Sequence, residues 1–114
     1  MLLEKLVKKT DALRIHEERS RTDKLYEIVF YSEDLDQWTK LLEAEFGLPI
    51  KAKGEPLPAM EQNWISATGG VWKDQTLYGK IINRGIAVAK LQPWKDGSHI
   101  TLKVAVITQK KQPR

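Results

Sequence analysis

The sequence predicts a single α+β domain over residues 1–114: an antiparallel sheet of about five or six strands, a main helix near 34–46 packed on one face, and a short N-terminal helix. Three observations carry this reading. Leu35, Trp38, Leu41, Leu42 and Phe46 recur at helical spacing between a run of acids and Gly47. The stretch from Leu25 to Tyr31 is dense in β-branched and aromatic residues. Asp96-Gly97 separates two apolar-rich stretches, which is the strongest short-range signal for a hairpin.

Along the chain, Leu2, Leu3, Leu6 and Val7 share one side of a helix over residues 2–10. Such a helix is too short to stand alone in water and must dock, on this chain's own sheet or on a second copy. Leu13 and Ile15 then alternate with Arg14 and His16, Ser20-Arg21-Thr22-Asp23 is turn-like, and Leu25 opens a returning strand. This is a hairpin. The competing reading continues the first helix to Arg19, because Glu17, Glu18 and Arg19 are good helix formers.

The main helix starts at Ser32 or Asp34, and Asp34 with Gln37 has capping-box spacing. Glu33, Asp34 and Asp36 place negative charge at the positive end of its dipole. Gly47 suits the residue after its last turn and Pro49 stops it. Trp38 is a core anchor. Residues 50–53 and 63–67 read as short strands, 54–62 as a loop with Pro56 and Pro58, and Gly69-Gly70 as a turn. A span this poor in regular structure is often functional. Trp64, Trp72 and Met60 either plug one end of the core or line a loop pocket. The final third is a meander of strands near 76–82, 86–95 and 98–108, and residues 110–114 form a frayed basic tail.

Composition sets the class. The 114 residues carry a net charge of +4 and no cysteine, which excludes disulfides, thiolate zinc sites and a cysteine nucleophile. Glu4 and Lys5 interrupt the first apolar stretch, and no run approaches the roughly 18 apolar residues of a membrane span. A soluble, cytoplasmic protein without a membrane partner is expected. Its charge is uneven: residues 1–57 hold 10 Lys+Arg against 12 Asp+Glu, and residues 58–114 hold 9 against 3. The basic half is either a solvated sheet face or a surface for an anion, nucleic acid or an acidic partner.

Register gives that surface an address. With Asp96-Gly97 as a two-residue loop, Leu91 faces Leu102, Ala89 faces Val104 and Ala87 faces Val106, which defines a core face. The opposite face pairs Trp94 with His99, Gln92 with Thr101 and Lys90 with Lys103, then Val88 with Ala105 and Ile86 with Ile107. A three-residue Asn83-Arg84-Gly85 loop would add Leu77 to the core face and set Tyr78 and Lys80 beside Lys90 and Val88. Like charges directly across a strand pair cost a few tenths of a kcal/mol, which an anion or a neighbouring carboxylate would relieve. The candidate site is therefore Lys80, Lys90, Lys103, Tyr78, Trp94 and His99. Aromatic faces among cations are what a sheet needs to stack a base and hold a phosphate.

Catalytic and metal motifs are weak. His16 and His99 are far apart in sequence, and there is no HExxH, His-x-His or calcium loop. Ser98 and His99 are adjacent strand residues that point to opposite faces. Gly69-Gly70-Val71-Trp72-Lys73 lacks the upstream glycine and following Ser/Thr of a phosphate loop. Glu27 suits a salt bridge to a lysine on a neighbouring strand. Tyr31-Ser32-Glu33-Asp34-Leu35 and Phe46-Gly47-Leu48-Pro49 are similar to the helix start and end of glyoxalase-like vicinal-oxygen-chelate modules, but Lys24-Leu25 stands where that family places a metal-binding histidine. No cofactor is expected. The leading expectation is a non-catalytic binding or regulatory module. A homo-oligomer joined through the apolar sheet end and the Leu2/Leu3/Leu6 helix is the first alternative, and a small-molecule binder or small enzyme built around 54–75 the second.

Overall fold

Alternating strands and one amphipathic helix leave the chain few ways to bury its apolar side chains, and a computed structural model shows which it takes. It describes residues 2–22, 24–50, 53, 75–82 and 85–108. These form α1 (Leu2–Thr10), β1 (Glu17–Arg21), β2 (Leu25–Tyr31), a 3-10 turn (Ser32–Asp34), α2 (Leu35–Phe46), β3 (Thr76–Ile82), β4 (Gly85–Pro93) and β5 (His99–Thr108). The strands make one antiparallel sheet in the order β1-β2-β5-β4-β3. The α+β architecture with a short first helix and a longer second one is as the sequence predicts.

One face of this sheet carries both helices. Tyr26, Ile28 and Phe30 of β2, Ala87, Ala89 and Leu91 of β4, and Ile100, Leu102 and Val104 of β5 pack against Leu6 of α1 and Trp38, Leu42 and Phe46 of α2. The period of two in the strands and the i, i+4 spacing in α2 meet there. Trp38 is fully buried and stacks on Phe30 with ring centroids 4.7 Å apart and planes 20° from parallel. Leu6 is equally buried, so α1 spends its central leucine on this chain's own sheet. The Thr10 hydroxyl meets that of Tyr26 at 2.9 Å, and Lys9 pairs with Glu45 to tie α1 to α2.

Several boundaries move. The hairpin forms, but its first strand begins at Glu17 rather than near Leu13, and a register shift between Glu18 and Ser20 bulges it. The capping box is absent: Asp34 makes no side-chain cap, and its carboxylate accepts from Arg14 at 3.1 Å instead. An ion pair outside the helix won the competition for that side chain. Gly47 ends α2 at φ 83° while its N–H donates to the Glu43 carbonyl at 2.8 Å, a conformation that glycine adopts without the Cβ penalty.

The β4–β5 register is the expected one from Leu91↔Leu102 to Ile86↔Ile107, with Lys90 opposite Lys103. The turn is wider than two residues. Gly97, at φ 72°, donates to the Trp94 carbonyl at 3.2 Å, and the Trp94 N–H donates to His99 at 2.9 Å. Opening a loop by one residue on each side leaves every facing unchanged, so Lys90 still meets Lys103.

The β3–β4 register does not follow expectation. Ile82 pairs with Gly85, Tyr78 with Ala89, Lys80 with Ala87 and Leu77 with Lys90. Only residues 83 and 84 lie between the paired ends, and the one-residue difference turns β3 over. Tyr78 enters the core at 2% exposure, with its ring 6.3 Å from that of Phe46. Leu77 joins Val88 in a second apolar cluster on the other face, with Ile50, Ile86, Ala105 and Ile107 around it. Both faces of this corner are apolar, so hydrophobic pattern could not choose between them. Lys80 did not forbid the choice either, because it stays exposed on β3, the last strand of the sheet among the described residues.

The Ile50 N–H donates to the Leu77 carbonyl at 2.8 Å, but Ile50 lies in a bend and Lys53 in a turn, where the sequence predicts a short strand over 50–53. The rest of that segment is outside the described residues, except Lys53. The 54–62 loop, the 63–67 strand, the Gly69-Gly70 turn, Met60, Trp64, Trp72 and the 110–114 tail lie outside them as well.

Candidate functional site

The face of the sheet opposite the helices is organised in rows across the strands. Ser20, Glu27, Lys103, Lys90 and Leu77 occupy one continuous row from β1 to β3. Glu27 therefore stands directly opposite Lys103, on the side away from Lys90. A carboxylate of the same chain flanks the lysine pair, and Arg19 reaches that carboxylate at 3.6 Å. The two lysines differ. Lys103 is half-buried, whereas Lys90 retains 5% exposure. Burial, followed by the neighbouring charge of Lys103, lowers the Lys90 pKa, and Glu27 opposes the shift.

Toward the Asp96-Gly97 turn the same face carries a cluster of rings. Tyr31 lies opposite His99 in the β2–β5 register, and Trp94 follows β4 beside it. His16, in the segment before β1, joins them through its N–H, which donates to the Val29 carbonyl at 2.7 Å. The His16 and His99 centroids are 4.4 Å apart, His16 and Tyr31 5.5 Å, and Trp94 and His99 4.9 Å. The Trp94 indole N–H donates to Thr101 at 2.8 Å. Guanidinium groups cover the outer rings: Arg14 lies 4.3 Å from the Tyr31 centroid and Arg19 5.4 Å from that of Trp94.

Each cation in this cluster meets its own carboxylates. Arg14 pairs with Glu33 and, at 3.0 Å, with Asp34, while Arg19 pairs with Glu17 at 2.6 Å. Asp96 accepts from the Ser98 N–H at 2.8 Å and contacts the His99 ring at 2.6 Å through Nδ1. These contacts, the Ser98 backbone donor first, lower the Asp96 pKa below the usual carboxylate value. The surface is therefore amphoteric rather than basic.

Of the six residues expected to form one site, the structure keeps Lys90, Lys103, Trp94 and His99 on one face. It sends Tyr78 and Lys80 to the other, because β3 is turned over. Sequence reasoning missed Tyr31, His16, Arg14 and Arg19 as neighbours of Trp94 and His99. The alternation of Arg14 with His16 was a signal that they belong together. No turn joins β2 to β5, however, so counting could not place Tyr31 beside His99. Trp64 and Trp72 lie outside the described residues. Among the described residues no group of three or more His, Cys, Asp or Glu side chains is arranged to hold a metal ion, and no helix is long and apolar enough to cross a membrane.

Comparison with protein-family models, with curated proteins and with solved structures finds no match.

Proposed function

We propose that this chain is a small non-catalytic binding module whose ring-bearing sheet end takes a planar ligand with one anionic group. The supporting observation is the half-buried row of Tyr31, His99 and Trp94 with Arg14 and Arg19 over its outer rings, and Lys103 on the same face of β5 farther from the turn. Aromatic faces and cations combined on a sheet are a recurrent way to hold a nucleobase or similar ring together with a phosphate or carboxylate. A long nucleic acid or an extended acidic partner is less favoured. Glu17, Glu27, Glu33, Asp34 and Asp96 interleave with the cations, and a polyanion would have to displace several at once.

Adenosine monophosphate is a suitable probe, followed by the indole resonance of Trp94. A saturable shift is expected, with ribose 5-phosphate giving much less and Trp94→Ala weakening binding by about tenfold, the order that one stacked ring supplies. Lys103→Gln should flatten the salt dependence. The absence of a shift, or a shift indifferent to Trp94→Ala, would remove this reading. Steep salt dependence with single-stranded oligonucleotides would replace it by nucleic-acid binding.

A second reading, self-association, is favoured by Ile81, which is 85% exposed beside the half-buried Ile86 and Ile107. It predicts a sedimentation coefficient that rises with concentration, and a concentration-independent monomer would dismiss it.

A further inference from the structure

The most specific arrangement in the ring cluster is its pair of imidazoles. His16 and His99 come from opposite ends of the sequence, yet their ring centroids are 4.4 Å apart and their planes differ by 51°. Both are anchored by backbone: His16 through its N–H to Val29, and His99 by its place in β5 opposite Tyr31. The separation suits a single ion shared by both rings. Two imidazoles bound side by side to one ion, through nitrogens about 2 Å from it, keep their centroids about 4–5 Å apart.

The hydrogen bonds point the same way. The Nδ1 of His99 meets Asp96 Oδ2 at 2.6 Å, and the other oxygen of that carboxylate accepts from the N–H groups of Ser98 at 2.8 Å and His99 at 3.2 Å. The Nδ1 of His16 lies 3.3 Å from the Tyr31 hydroxyl. Each ring therefore has Nδ1 engaged, and Nε2 is the nitrogen left outside these hydrogen bonds. A carboxylate or other oxygen on one nitrogen, with the second nitrogen presented outward, is how metal-binding histidines are fixed in tautomer and orientation. We propose that His16 and His99 form a two-imidazole site for a late first-row divalent cation. Cu(II) would bind most tightly, because it follows the affinity order for nitrogen ligands and accepts two neighbouring imidazoles with water in its remaining positions. Asp96 is a positioning residue in this site.

This proposal shares His99 and Tyr31 with the planar-ligand reading but rests on neither the Trp94 face nor the guanidinium groups. Its test is a Cu(II) titration of the full chain followed by electron paramagnetic resonance. One equivalent is expected to bind, with hyperfine structure from two imidazole nitrogens. His16→Ala and His99→Ala should each weaken binding at least tenfold, with His16→Asn and His99→Gln behaving the same way while preserving a polar side chain. Asp96→Asn should weaken it by about tenfold, as loss of an orienting partner does, and Lys40→Gln, exposed on α2, should leave it unchanged. Copper that survives both histidine substitutions, as it would if held by the N-terminal amine, overturns the site. So does a signal from fewer than two imidazole nitrogens, or no binding at equimolar copper.

Discussion

Trp38→Ala is expected to lower the unfolding free energy by about 3–5 kcal/mol, the cost of removing a large buried aromatic that its surroundings cannot replace. Trp38 is fully buried in the centre of α2, its ring stacked on Phe30 between the helix and the sheet. Against a total stability of about 5–15 kcal/mol, that loss leaves much of the population unfolded under mild denaturant. The indole adds a finer test. Its Nε1 is buried without a hydrogen-bond partner among the described residues. A buried donor left unmade costs about 1–3 kcal/mol, so replacing it with carbon returns part of what the smaller ring loses. Trp38→Phe should therefore cost well under half as much as Trp38→Ala. Urea unfolding of the two variants reads the difference directly. Equal losses would mean that the indole nitrogen contributes to stability rather than subtracting from it.

Lys90→Met is expected to stabilise the protein at neutral pH, because the surroundings of Lys90 as a whole, burial first, disfavour its charged form. Lys90 is buried, faces Lys103 across the strand pair, and has Leu77 on its other side. Methionine keeps the unbranched stem and removes the charge. The sign with pH follows from the lowered folded-state pKa. Below that value both folded and unfolded chains hold the proton, and the full cost of burying the charge is present. Between it and the ordinary lysine value of about 10.4, the unfolded chain binds more protons, so wild-type stability gains with rising pH. The advantage of Lys90→Met should thus be largest near pH 7 and shrink as pH approaches 10. Paired urea titrations at both pH values check it. An unchanged difference would show that Lys90 acts through packing alone, and a destabilised variant would show that Glu27 more than repays its burial.

Together these substitutions probe the two faces of one sheet. The helix face is a conventional apolar core. The other face has an apolar end at Leu77 and Val88, a charged row at Glu27, Lys103 and Lys90, and a ring cluster at Tyr31, His16, His99 and Trp94. Burial of Lys90 also changes how the face can be tested. Lys90→Glu would alter the fold's interior together with any binding, whereas Lys103→Gln changes the half-buried partner alone.

The amino-acid sequence by itself determined what local chemistry can specify. Helix α2 follows from its apolar stripe and from Gly47, whose positive φ ends it. The facing of Lys90 on Lys103 follows from Asp96-Gly97, because a tight turn lets every pair be counted outward from one point. Tertiary structure alone decided the rest. The β3 face turned on a loop one residue shorter than expected, in a corner where both faces are apolar and Lys80 stays exposed. The meeting of His16 and Tyr31 with His99 required β2 to pair with β5, whose partners are joined by no turn. Contacts between elements distant in sequence are set by burial of the whole core, which no single segment encodes. For that reason the charge pair was legible in the chain and the histidine pair was not.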